Sequence, residues 1–128
     1  MSRKSSQQQL EMIASGNHEE IMAYIPDHFL SDRAEVALVE RGNHEEIMTY
    51  VTEVCLSDQA KLALVNRGDH EEIMTAIEKV SLGSEAEVAL IKRGNHEEIM
   101  AYLSLYHLEE EAEASLKLRG NKEEIEAL

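Results

Sequence analysis

The stretch Arg41-Gly42-Asn43-His44-Glu45-Glu46-Ile47-Met48 decides the fold. The string from Gly42 to Met48 begins again at Gly16 and Gly94, and Gly68 opens the same string with Asp69 in place of Asn. The spacing is 26 residues each time, and another 26 lead to Gly120-Asn121-Lys122-Glu123-Glu124-Ile125. A second block keeps the same register. Leu30 to Arg41 matches Leu56 to Arg67, Leu82 to Arg93 and, more loosely, Leu108 to Arg119, while Leu10 to Ser15 matches Val36 to Arg41. Self-similarity at a fixed period marks a repeat array. Residues 1–9 read as a disordered polar tail and 10–128 as one domain. That domain divides into a half-repeat (10–15), full repeats (16–41, 42–67, 68–93 and 94–119) and a capping half-repeat (120–128).

Each repeat reads as two short helices. Asn17, Asn43, Asp69 and Asn95 are expected N-caps, each followed three residues later by a Glu that completes the capping-box pattern. The paired glutamates also place negative charge at the positive end of the helix dipole. Gly42, Gly68, Gly94 and Gly120 follow an Arg in a last helical turn and are the expected left-handed residues after it. Ser31 is a plausible cap for the second helix, and strand signals are absent. Two helices of roughly ten residues cannot bury their own apolar faces, so neighbouring repeats must stack. The expected fold class is therefore all-α, a right-handed α-solenoid of tandem 26-residue helix-turn-helix repeats.

Substitutions near the ends fit that picture. Glu126 stands where internal repeats have Met22, Met48, Met74 and Met100; Glu11 stands at the Ala37, Ala63 and Ala89 position; Lys117 replaces Val39, Val65 and Ile91. Polar residues where no neighbour remains are how terminal caps behave, and on this reading Met48 and Met74 lie buried in the seams between repeats. The pattern over Leu10 to Leu128 resembles the helical-repeat solenoids: HEAT, armadillo, tetratricopeptide and leucine-rich-repeat-variant proteins. The period of 26 is shorter than that of HEAT or tetratricopeptide repeats, and nearer the leucine-rich variant. The resemblance implies binding of other proteins through an extended concave face.

Charge narrows the function classes. The 128 residues carry a formal charge of −14, and since Arg3 and Lys4 precede every acid, the body beyond residue 9 carries −16. Such a body repels phosphate backbones and anionic membrane surfaces, so neither nucleic acid nor membrane is expected as a partner. The single Cys55 forbids an internal disulfide, and no apolar run approaches the ~20 residues of a membrane span. A cytoplasmic address follows as the expectation, with export by a non-classical route as the alternative.

Three sets of recurring side chains could carry chemistry. His18, His44, His70 and His96 would align on stacking, each followed by two glutamates; metal binding needs donors that converge on one point, and exposed positions after a cap argue for a structural role. Arg41, Arg67, Arg93 and Arg119 are expected to pair with nearby glutamates. Tyr24, Tyr50 and Tyr102 share one position with Ala76 and read as core residues whose hydroxyls reach an edge, with exposure or a gap at Ala76. Cys55 reads as a small buried hydrophobe, and the acidic residues mainly as solvated faces. No catalytic constellation, cofactor motif or metal-ligand spacing is present, so an enzyme is not expected.

Positions that vary between repeats are the candidates for partner binding: Arg33, Gln59 and Glu85; Glu40, Asn66 and Lys92; and Asp27, Glu53 and Lys79 after the first helix. The leading expectation is a non-enzymatic scaffold that binds a peptide or basic protein surface through an acidic repeat face, as a monomer or with weak end-to-end association. Two alternatives stand beside it: an acidic decoy that mimics nucleic acid, and an engineered or consensus-like repeat protein.

Overall fold

The computed structural model describes residues 4–128. Among them the chain forms ten α-helices and no strand: α1 Ser6–Ser15, α2 His18–Tyr24, α3 Asp32–Arg41, α4 His44–Glu53, α5 Asp58–Arg67, α6 His70–Lys79, α7 Ser84–Arg93, α8 His96–Leu105, α9 Glu110–Arg119 and α10 Lys122–Glu126. The repeats stack in two layers. Odd-numbered helices pack in succession from α1 to α9, even-numbered ones from α2 to α10, and each glycine-linked pair joins the layers. No helix among the described residues is long and apolar enough to cross a membrane.

The same register positions build the core in each repeat. Ala34, Leu38 and Val39 of α3 are buried, as are Ala60, Leu64 and Val65 of α5 and Ala86, Leu90 and Ile91 of α7. From the even layer come Ile21, Ile47, Ile73 and Ile99, with Tyr24, Tyr50 and Tyr102 beside them. Buried Ala34, Ala60, Ala86 and Ala112 leave room for neighbouring helices to approach, and branched residues fill what remains. Lys117, at the Val39 position of the last full repeat, is exposed.

The expected N-caps form, but of the expected capping boxes only that of Asn43 and Glu46 closes. Asn17, Asn43, Asp69, Asn95 and Asn121 each accept a hydrogen bond from the backbone N–H three residues on, at 2.9–3.1 Å. Ser31 and Ser57 do the same for α3 and α5. Gly83, with φ +87, takes the place of the serine ahead of α7 and offers no side-chain cap.

Several expectations need correction. Met1 to Arg3 of the expected polar tail lie outside the described residues, but Ser6 to Gln9 form the first turn of α1, capped by Ser5, and Gln9 is buried. Gly68, Gly94 and Gly120 are left-handed, whereas Gly42 is extended (φ −69, ψ 159). A Cβ at Gly42 would stand 2.5 Å from the Leu38 carbonyl oxygen, so space and not a positive φ demands glycine there. Met48 and Met74 are only half-buried. The fully covered residues in these helices are Ile47 and Ile73, one position earlier and about 100° around the helix. Cys55 is exposed, because it follows the end of α4 in the linker to α5. Ala76 is buried, not exposed.

Candidate functional site

Stacking brings each His against the paired glutamates of the next repeat. Nδ1 of His18, His44, His70 and His96 lies 2.6–2.8 Å from an oxygen of Glu46, Glu72, Glu98 and Glu124. Nε2 of the same rings lies 2.6–3.1 Å from Glu45, Glu71, Glu97 and Glu123. The two glutamates differ in environment. The outer one stays at the solvent edge, while Glu46, Glu72, Glu98 and Glu124 are buried. Arg67, Arg93 and Arg119 hold the inner carboxylate through Nε at 2.7–2.8 Å, as their spacing in the sequence suggests. Arg41 makes no such ion pair among the described residues. With Gly42 extended, Glu46 turns back to accept from the Asn43 N–H at 3.4 Å.

These carboxylates raise all four His pKa values above the ordinary 6.5, chiefly through the hydrogen bond that the inner glutamate accepts from Nδ1. At the last rung, burial alone would push the Glu124 carboxyl up. Hydrogen bonds from Arg119 and His96 outweigh it and hold the group below its usual range.

A second network ties the layers together. Tyr50 donates to Glu35 at 2.5 Å and accepts from the Leu30 N–H at 3.2 Å, while Glu35 also accepts from the Ser57 N–H at 3.0 Å. Tyr102, Glu87, Leu82 and Glu109 repeat this arrangement. In the first repeat Gln9 replaces the carboxylate, donating to the Tyr24 hydroxyl at 3.1 Å and accepting from the Ser31 N–H at 2.8 Å. Burial, then the bonded carboxylate, pushes the Tyr50 and Tyr102 hydroxyls up, so both remain proton donors. The tyrosines are thus core residues with satisfied hydroxyls. The acidic residues are not all solvated: Glu35 and Glu87 are buried here, in addition to the four inner glutamates.

The variable positions fall into separate places. Arg33, Glu40 and Gln59 gather at a groove of about 400 Å³ across α1, α3 and α5, floored by Leu10, Ile13, Val36 and Ala37. Gln59 and Glu85 flank a second groove of about 360 Å³ at the start of α7. Asn66 and Lys92 are exposed further along the same odd-layer helices. Asp27 and Glu53 border a small cleft of about 160 Å³ beside Phe29, and Lys79 is exposed at the end of α6. The structure therefore joins Arg33, Glu40 and Gln59 but leaves Asp27, Glu53 and Lys79 apart from them. No protein-family model, curated protein or solved structure matches the chain.

Proposed function

We propose that this protein is a non-enzymatic interaction scaffold, a short array of the HEAT-like or leucine-rich-repeat-variant-like kind, whose odd-helix face docks a protein or peptide segment. The observation that carries this reading is the groove across α1, α3 and α5, where apolar Leu10, Ile13, Val36 and Ala37 are rimmed by the repeat-variable Arg33, Glu40 and Gln59. An apolar floor with a few polar groups at its rim is the usual make-up of a recognition groove. The net charge of −14 draws basic partners to the surface at low salt and speeds encounter more than it tightens the complex. A nucleic-acid decoy has less support: six of the acids are buried against internal partners, and Arg33 and Lys92 interrupt the acidic surface of the odd layer.

Crosslinking at low salt with wild-type protein and Ala37→Arg tests the proposal. Ala37 is half-buried in the groove floor, so the arginine would obstruct docking without entering the core. A basic partner captured by wild type and lost from Ala37→Arg is expected. Undiminished capture by the variant, or catalytic turnover without a protein partner, would count against it.

A further inference from the structure

One rung of the ladder differs from the other three. Between α4 and α6, His44 Nδ1 lies 2.8 Å from Glu72 Oε2 and 3.4 Å from Asp69 Oδ2. Among the described residues, this is the one place where three such side chains bring donor atoms within 4.8 Å of one another. At the other rungs Asn43, Asn95 and Asn121 hold the position of Asp69, and an amide there supplies no second carboxylate.

The surroundings prepare these atoms for a cation. Glu71 Oε1 lies 2.6 Å from His44 Nε2 and accepts that N–H, so Nδ1 is the nitrogen that can exchange its proton for an ion between Asp69 and Glu72. A carboxylate bonded to the far ring nitrogen is the usual support for a metal-binding His. Arg67 holds Glu72 by Oε1 at 2.8 Å and leaves Oε2 to His44. By contrast, Arg93 and Arg119 donate to both oxygens of Glu98 and Glu124. Asp69 caps α6 with Oδ1, bonded to the Glu72 N–H at 3.0 Å, which leaves Oδ2 free for a ligand.

We infer that His44 Nδ1, Asp69 Oδ2 and Glu72 Oε2 form a binding site for one divalent transition-metal ion of the Zn²⁺ type, across the seam between the second and third full repeats. Zinc takes nitrogen and oxygen ligands at ~2.0–2.2 Å, which places tetrahedral donors about 3.3 Å apart. The His44 pairs at 2.8 and 3.4 Å reach that spacing with shifts of about half an ångström or less, and all three donors lie within 4.8 Å of one another. Asp69, Glu72 and the adjoining Glu71 together balance the two charges of the ion and that of Arg67. The N-terminus of α6 opposes it with only about half an elementary charge. The fourth position faces solvent, because the side chains of His44 and Asp69 are 44% and 36% exposed. Binding displaces the proton shared between His44 and Glu72, so affinity rises with pH. The ion fastens α4 to α6 and stabilises the folded array by ligand linkage.

The other rungs supply the controls. Asn43 Nδ2 already lies 3.1 Å from His18 Nδ1, and Glu46 Oε2 meets only His18. Asn43→Asp should therefore build a second site, while Asn95→Asp should do so poorly because Arg93 occupies both oxygens of Glu98. Calorimetric titration of the metal-stripped chain with Zn²⁺, and the visible absorption of added Co²⁺, read this directly. We expect one equivalent for wild type, at least a tenfold affinity loss for Asp69→Asn, and two equivalents for Asn43→Asp. Zn²⁺ should also raise the melting temperature of wild type but not of Asp69→Asn, whose metal-free stability should match wild type. Absence of wild-type binding at about 0.1 mM Zn²⁺ would overturn the inference. So would equal binding by Asp69→Asn, or four equivalents spread along the whole ladder.

Discussion

The junction of the first and second full repeats and that of the second and third each carry a ladder rung but part company where their helices meet. At the former, Tyr50 and Glu35 engage each other and the amides of Leu30 and Ser57. At the latter, Ala76 and Lys61 occupy the same two positions, and the Leu56 and Gly83 amides lose the corresponding acceptors. Lys61 is buried along its stem and reaches exposed Asp58 at 3.6 Å. The two substitutions form a unit. A carboxylate at position 61 facing Ala76 would be buried without a hydroxyl, which is expensive in a low-dielectric setting. Hydrophobic stacking thus tolerates loss of the tyrosine provided the charge below it is exchanged as well.

Breaking the intact pair should have the largest effect. Tyr50→Ala removes a fully buried aromatic ring and strands Glu35, and should cost about 4 kcal/mol in urea denaturation. A loss below about 1 kcal/mol would mean that the surroundings rearrange to satisfy Glu35. Installing the pair sharpens the comparison from the other side. Lys61→Glu and Ala76→Tyr should each destabilise alone, whereas the double variant should recover the loss, with a coupling of about 1–3 kcal/mol. Additive losses would show that the third repeat is built for different packing. Cap changes come next. Asn43→Ala and Asn95→Ala should each cost about 1 kcal/mol, and Asp69→Asn less than about 0.5 kcal/mol in metal-free buffer.

The gentlest perturbation is pH. Each ladder His has its pKa raised above 6.5 by folding, so protonation is favoured in the native state. That stabilisation is complete below the unfolded value of 6.5 and disappears as pH climbs through the raised native values. Glu124 is shifted down, and its contribution disappears instead in acid. Melting temperature in chelator-containing buffer should therefore fall from pH 6 to pH 8, and His70→Gln should flatten the slope by removing one of the four rungs. An unchanged slope would show that the rings are not coupled to folding.

The repeat, its register and its caps are written plainly in the sequence because Gly and Asn act locally, within one turn of the chain. The inner and outer glutamates of each pair look alike until stacking sets one under an arginine and leaves the other at the rim. The Tyr50–Glu35 partnership did leave a trace: across the repeats, Tyr accompanies Gln9, Glu35 or Glu87 fifteen residues earlier, and Ala76 accompanies Lys61. The sequence points to the methionines as the seam because an apolar neighbour of Ile73 satisfies a helical pattern nearly as well, although it lies about 100° around the helix from that buried residue. Arg33, Glu40 and Gln59 were found through variation, whereas the groove floor beneath them depends on the spacing of α1, α3 and α5.

Every rung of the ladder points one way along the chain: the ring comes first and its carboxylates follow 27 and 28 residues later. A chain leaving the ribosome therefore exposes each imidazole before its acceptors exist. At synthesis rates of about 5–20 residues per second, the wait is roughly 1–5 s for each repeat. Growth thus always has one unfinished edge, at the newest repeat, and that edge carries an unpaired base. At the position where a further His would fall, the chain has Lys122, which is exposed and makes no ion pair among the described residues. The array is directional in the order of its synthesis as well as in space.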